Sequence, residues 1–336
     1  MTIKSIILSR TDSLGDVVLS LPVAGAIKRQ NARIKVLFIG RTYSKSIIEA
    51  SEFVDQFINF DELLEKSKSE QISFFRNLNA DAIVHVFPQK EIARLAKLSN
   101  IPIRIGTSHR IFHILTCNRR VNIGRKNSNL HESQLNLKLL KPLQFKSDYS
   151  LEEVSDLYGF NKYVELDEKL SSLISANHFN LILHPKSKGS AREWGLKNFS
   201  ELIELLPQDS FKIFVTGTKE EGSLMSDFLE KHKLRITDLT GSLNLSELLS
   251  FISKVDGLVA ASTGPLHIAA ATGIRAIGIF APMRPIHPQR WMPIGKKADF
   301  LVLKKVCNDC KHGGACKCIL SITPNQVYQK LINKTC

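Results

Sequence analysis

Two α/β domains in tandem are what the sequence predicts, and three observations predict them. Short, continuous apolar runs alternate along the chain with segments of helical periodicity, the pattern of parallel strands buried on both faces and joined by helices. The length of 336 residues is enough for about two domains at the usual size of roughly 100–200 residues. A polar stretch, 144–177, lacks a strong buried strand and separates two such series. Alternation of this kind builds, in each half, a Rossmann-like parallel sheet with helices on both faces.

The first series opens with a strand at Ser5–Ser9, a loop from Arg10 to Asp16, a helix from Val17 to Gln30 and a strand at Arg33–Gly40. A strand at Ala82–Val86, a helix from Lys90 to Leu98, a short strand at Ile103–Gly106 and helical periodicity from His131 to Lys141 follow. The second series begins with a strand at Phe179–Pro185 and a helix from Leu196 to Leu206. It continues with strand Lys212–Gly217, helix Glu221–His232, helix Ser246–Ser253, strand Gly257–Ala261, helix Gly264–Ala271 and strand Ala276–Phe280. Thr323 as N-cap and Pro324 at the first helical position start a last helix, Asn325–Ile332. The expected division is 1–165, 166–320 and a terminal helical segment, 321–336. Two such domains place a binding site in the cleft between them, near the carboxyl ends of their strands.

Hydrophobic residues make up 43% and charged residues 23%, ordinary for a chain with a real core. No run approaches the ~18 apolar residues of a membrane span, and Met1–Arg10 is too short an apolar stretch for a signal peptide. A cytoplasmic location is the default. The net charge of +14 is local in origin: Lys97 to Lys146 holds ten cations against Glu132 alone. Such a stretch attracts polyanions, whether nucleic acid, the anionic inner face of a membrane or a phosphorylated glycolipid; a merely solvated surface carries the same charge. No nucleic-acid motif accompanies it, so nucleic acid is not an expected partner. Four of the six cysteines, Cys307, Cys310, Cys316 and Cys318, have the spacing C-x2-C-x5-C-x-C. In a cytosolic chain this reads as a structural zinc site or as reduced thiols rather than a disulfide framework.

Three motifs carry chemistry. Ala261–Ala271 joins a buried strand to a helix, with Thr263 and Gly264 in the turn and Pro265 preset for the first helical turn. The free N–H groups and dipole of that helix start make an anion site; an ordinary turn with His267 packed inside is the alternative. Leu14–Pro22 sets Asp16 where the first strand meets its helix, either as a general base facing the cleft or as a helix-favoured acid. Gly15 lacks GxGxxG spacing, which argues against a dehydrogenase. His184–Trp194 brings Lys186, Lys188 and Arg192 onto a loop at a sheet's carboxyl edge, where they would clamp phosphate oxygens.

Together these motifs resemble the heptosyltransferase-like glycosyltransferases of family 9, over nearly the whole chain. The likeness runs through Gly15-Asp16 with Leu21-Pro22, the loop ending in Arg192 and Trp194, Gly217 with Glu221, Gly241–Val255, Ser262–Ala271, Phe280-Ala281-Pro282, the cysteine-rich stretch and the terminal helix. The resemblance implies the GT-B fold and an inverting, metal-independent transfer with no required cofactor. It implies a sugar, heptose, passing from ADP-heptose to the lipopolysaccharide core or a related phosphorylated or lipid-linked glycan. The basic first domain would bind the acceptor, with peripheral contact at the inner membrane face, and the second domain would bind the nucleotide-sugar. By the same resemblance Asp16 is the catalytic base, and Arg192, with Lys188, meets the donor phosphates. Glu221 holds the ribose hydroxyls, Leu243 lines the base pocket, and Thr263, Gly264 and His267 form the phosphate-binding helix start. Ser262 stands where the best-characterised members carry Asp, which opens two other readings: a different sugar donor, or a non-catalytic nucleotide-sugar-binding relative.

Overall fold

The computed structural model describes residues 2–125, 128–283, 286–304, 307 and 316–333. The chain divides into two compact units, Met1–Lys162 and Tyr163–Cys336. The first unit holds strands β1 (Ser5–Ser9), β2 (Lys35–Gly40), β3 (Gln56–Asn59), β4 (Ala82–His85), β5 (Ile103–Thr107) and β6 (Arg119–Val121), in the order β3-β2-β1-β4-β5-β6. The second holds β7 (Phe179–His184), β8 (Phe211–Val215), β9 (Ile236–Asp238), β10 (Gly257–Ala261), β11 (Arg275–Phe280) and β12 (Ala298–Val302), in the order β12-β11-β10-β7-β8-β9. All pairings within both sheets are parallel.

Read from its opposite edge, the second sheet repeats the strand order of the first. In each unit the first strand lies between the second and the fourth, so the direction of winding reverses beside it. Ligands of open parallel sheets bind outside the carboxyl ends of the strands at such a reversal. The two reversals fall between β1 and β4 and between β7 and β10. The central strands are apolar without a break because both faces are covered: β1 and β10 are buried at every position.

Two long helices expected from periodicity are each broken. Val17–Gln30 becomes Leu14–Val18 and Pro22–Gln30. Pro22 has no N–H to donate and clashes with a preceding turn, but it fits the first turn of a new helix. The chain tightens in between through bonds from Ser20 N–H to Val17 and from Leu21 N–H to Val18. Glu221–His232 becomes Lys219–Ser223 and Ser226–His232, because Met225 leaves helical geometry at φ −130° and sinks into the core. The periodic stretch from His131 is α-helical over Glu132–Leu137 and tightens to a 3-10 helix over Lys138–Leu143, which contains Pro142. The terminal helix, Pro324–Ile332, adds Val327 and Leu331 to the core of the second unit.

Cys307, Cys316 and Cys318 are buried in that same core. Cys310 lies outside the described residues. Among the described residues no group of three or more His, Cys, Asp or Glu is placed to hold a metal ion. No helix among them is long and apolar enough to cross a membrane.

Candidate functional site

The first unit's reversal carries a cluster of charges built around Arg10, the residue after β1. Its side chain is 3% exposed. It donates to Asp12 at 2.6 and 3.0 Å, to Asp16, and to Glu132 and Asn136 at 3.4 Å each. Glu132, whose side chain is fully buried, also pairs with Arg125, and Arg125 donates to Asn136 at 3.1 Å. Two guanidiniums thus face three carboxylates in a largely dehydrated setting, where each charge depends on its partners. Burial pushes the Asp12 carboxyl above its ordinary range; Arg10 opposes that and the Asp16 charge adds to it. The Tyr43 hydroxyl donates to the Asp12 carbonyl.

Asp16 lies in the first turn of Leu14–Val18, where a helix favours an acid. Its carboxylate accepts from Ser13 Oγ and from Arg10, and 18% of the side chain remains open to solvent. Asp16 is thus an acid at a helix start and a partly accessible carboxylate beside the carboxyl end of β1. Sequence reasoning missed Arg10, Asn136 and Arg125 as its supports. The signal for Glu132 was present, since it is the one acid in a stretch of cations.

The second unit's reversal brings together the loop after β7 and the helix Gly264–Ala271 after β10. Thr263 is the N-cap of that helix, yet its own side chain makes no capping hydrogen bond. The Thr263 hydroxyl is buried and has no hydrogen-bond partner among the described residues. Helix starts leave N–H groups that need acceptors, and a buried start without a cap is an open demand for an anion. His267 is buried one turn on, and Ser262 is half-buried just before the cap.

The cationic loop departs from expectation in one respect. Lys186 pairs with Glu193 at 3.0 Å, and Glu193 also accepts from Ser187 N–H at 3.1 Å, so that lysine serves the loop itself. Lys188 on the same loop is exposed and left-handed at φ 47°, and Arg192 is half-buried. Trp194 is fully buried and donates to the Ile322 carbonyl at 2.8 Å, which makes it a core anchor.

Glu221 follows β8. It is buried, and its Oε2 accepts from Thr218 N–H at 2.8 Å in a capping box. His184, at the end of β7, bonds Thr216 Oγ1 through Nδ1 at 2.9 Å. Burial drives its pKa down to about 4, against the pull of Glu221. Leu243, half-buried, follows β9 just before the helix Leu245–Lys254. Thr263, then Lys188 and Arg192, then Glu221, then Leu243 thus follow four adjacent strands, β10, β7, β8 and β9, along one edge of the sheet. Adjacent strands are about 4.8 Å apart, so the row spans roughly 14 Å.

Comparison with known proteins places the chain in a family and a fold. The sequence model of glycosyltransferase family 9 (heptosyltransferase) matches residues 74–318. Lipooligosaccharide heptosyltransferase 2 of Campylobacter jejuni is 24% identical over 334 residues, covering 95% of each chain. Among solved structures, a family 9 glycosyl transferase from Veillonella parvula superposes with a TM-score of 0.79 at 17% identity, over 99% of each chain. ADP-heptose LPS heptosyltransferase II of E. coli superposes with a TM-score of 0.75 at 15% identity, over 98% of this chain and 97% of that one. At such identities the superpositions establish a shared GT-B fold.

Proposed function

Because this chain belongs to glycosyltransferase family 9, we propose that it moves heptose from ADP-heptose onto the lipopolysaccharide core or a related phosphorylated glycan, with inversion at the anomeric carbon. The observation that carries this reading is the buried, uncapped helix start with the unpartnered Thr263 hydroxyl. It offers donors to an anion and asks for one. The row along the edge supports a nucleoside diphosphate in particular: helix start and cations for the diphosphate, Glu221 to accept from ribose hydroxyls, Leu243 against the base.

In this mechanism Asp16 takes the proton of the acceptor hydroxyl as that oxygen attacks the anomeric carbon. The bond from that carbon to the diphosphate oxygen breaks, and the oxygen leaves with the electron pair. Lys188, Arg192 and the N–H groups at Gly264 stabilise the charge that develops there. Arg10 and Ser13 fix the carboxylate while leaving it lone pairs for the incoming proton.

Calorimetry with ADP and a donor panel test the reading. Thr263→Val keeps the shape and removes the hydroxyl. Losing a hydrogen bond to a charged group, about 1.5–3 kcal/mol, should weaken ADP binding roughly tenfold or more. Unchanged affinity would remove the helix start from the donor site. Turnover of ADP-heptose with an inner-core acceptor is the expected product assay. Turnover confined to another nucleotide-sugar would favour the second reading, a different donor, to which Ser262 points. ADP binding with no turnover on any donor would favour a non-catalytic relative.

A further inference from the structure

The short helix Ile111–Thr116 crosses from β5 to β6 and turns its apolar side outward. His113 and Thr116 are buried, while Ile111 is 81% exposed, Ile114 53% and Leu115 68%. Positions i, i+3 and i+4 share one face of a helix, so these three side chains form a contiguous apolar ledge. Leu98, half exposed, ends the neighbouring helix Lys90–Leu98. Single exposed apolar residues are commonplace, but a ledge of this kind calls for a partner.

Cations surround the ledge. Lys97 donates to the Leu115 carbonyl at 2.9 Å, Arg104 to the Thr116 carbonyl at 2.8 Å, and Arg120 to the carbonyls of Ile114 and Cys117 at 3.4 Å. These bonds satisfy the end of the helix and hold three positive charges beside it. A lysine has three donors and an arginine five, so each keeps donors for a phosphate. Arg110 precedes the helix and Arg119 follows it, both exposed. Residues 92–131 contain eight Lys or Arg and no Asp or Glu.

We propose that this ledge and its cations are a docking surface for an anionic phospholipid bilayer. Apolar side chains that enter the acyl boundary, ringed by cations that meet phosphate headgroups, match the two layers of a membrane interface. A second copy of this chain would bring the same positive charge to the same face and be repelled. The placement also suits the chemistry. The helix begins beyond the carboxyl end of β5, on the same sheet edge as Asp16, and β5 lies two strands from β1, roughly 10 Å along that edge. This last point rests on the proposed function: a lipid-anchored acceptor would then present its sugar toward Asp16.

Flotation of the full chain with vesicles tests the proposal without any substrate. Vesicles with about one-third phosphatidylglycerol in phosphatidylcholine should carry the protein, and pure phosphatidylcholine should not, with release at high salt. The variant I111S/I114S/L115S should lose at least tenfold in vesicle partitioning while keeping its thermal transition and its turnover of a deacylated, water-soluble acceptor. R110Q/R119Q should lose most of the salt-sensitive part. Undiminished flotation of the triple-serine variant would overturn the proposal. So would equal binding to neutral vesicles. A wild-type dimer that the serine variant dissociates, with no vesicle binding, would assign the ledge to self-association instead. Absence of transfer to the soluble acceptor by any variant would sink the proposed reaction and leave the membrane result standing.

Discussion

Asp16 is held from two sides, by the Arg10 guanidinium and the Ser13 hydroxyl, and Arg10 is in turn held by Asp12 and the buried Glu132. Such a frame fixes the orientation of a base before substrate arrives. Asp16→Asn keeps the size and hydrogen-bonding reach but cannot take a proton. Its kcat should fall by about 10²–10⁴-fold with ADP affinity little changed; near-normal turnover would end the assignment. Ser262 poses a different question. The N-cap of the helix is Thr263, so Ser262 is not needed for capping and is available to influence the donor. Ser262→Asp adds a carboxylate beside the helix start. It should shift the ratio of kcat/KM between ADP-heptose and other nucleotide-sugars by roughly tenfold, the worth of one charge-assisted contact. A changed melting temperature with an unchanged donor ranking would retire the specificity role. Local sequence singled out Asp16 and Thr263 because each sits where a strand meets a helix, whereas Glu221 was named only through the family resemblance. Arg10, Asn136 and Arg125 were not legible, since their roles depend on a partner more than a hundred positions away or on a buried acid.

At the scale of elements, the strands that periodicity missed are β3, β6, β9 and β12, and these are the four edges of the two sheets. Edge strands are short and half exposed, and they carry polar residues that discourage pairing with other chains. Arg119-Arg120-Val121 and Ile236-Thr237-Asp238 have three residues each and no apolar run to announce them. The helices that periodicity marked were legible in type but not in continuity, because Pro22 and Met225 act through turn geometry and core packing; Lys68–Asn77 and Ile111–Thr116 were not read at all. Gly25 shows how closely one helix is seated. A Cβ built there would stand 2.3 Å from the Leu157 carbonyl oxygen and 2.9 Å from its Cα, both backbone atoms. Alanine in a helix is worth about 1 kcal/mol over glycine by propensity, whereas overpacking a tight contact costs about 1–3 kcal/mol or more. Backbone yields less readily than a side chain, so the clash should win. Gly25→Ala is expected to destabilise the first unit in urea titration, and a stabilised variant would show that the 157 segment moves aside.

At the scale of the whole molecule, the tandem α/β plan was legible in alternation and length, but the shared strand order was not, because order depends on which strands pair and periodicity says nothing of pairing. The two units also share a liability to acid. His85 in the first has its pKa driven down to about 3 by burial, with the neighbouring His113 and Arg104 adding to the effect. His184 in the second is driven down to about 4 by burial, and Glu221 only partly offsets it. In the unfolded chain both return to the ordinary 6.5. Above that pH neither state binds the extra proton and stability is complete. Below it the unfolded chain takes up protons that the folded units refuse, so stability falls as the pH drops from 6.5 toward the folded values. Each pH unit in that window costs about 1.4 kcal/mol per histidine, or about 2 kcal/mol per unit of structure by pH 5. For domains of this size that lowers a melting temperature by roughly 4–8 °C. Thermal melts should therefore be level between pH 7 and 8 and fall steadily below about pH 6.5. His184→Gln should flatten the fall for the second unit and leave the first unit's unchanged, which separate probes in each unit can follow. A melting temperature that stays constant down to about pH 5 would mean that these two imidazoles reach water or a proton-accepting partner in the folded protein, and that burial is not what holds them neutral.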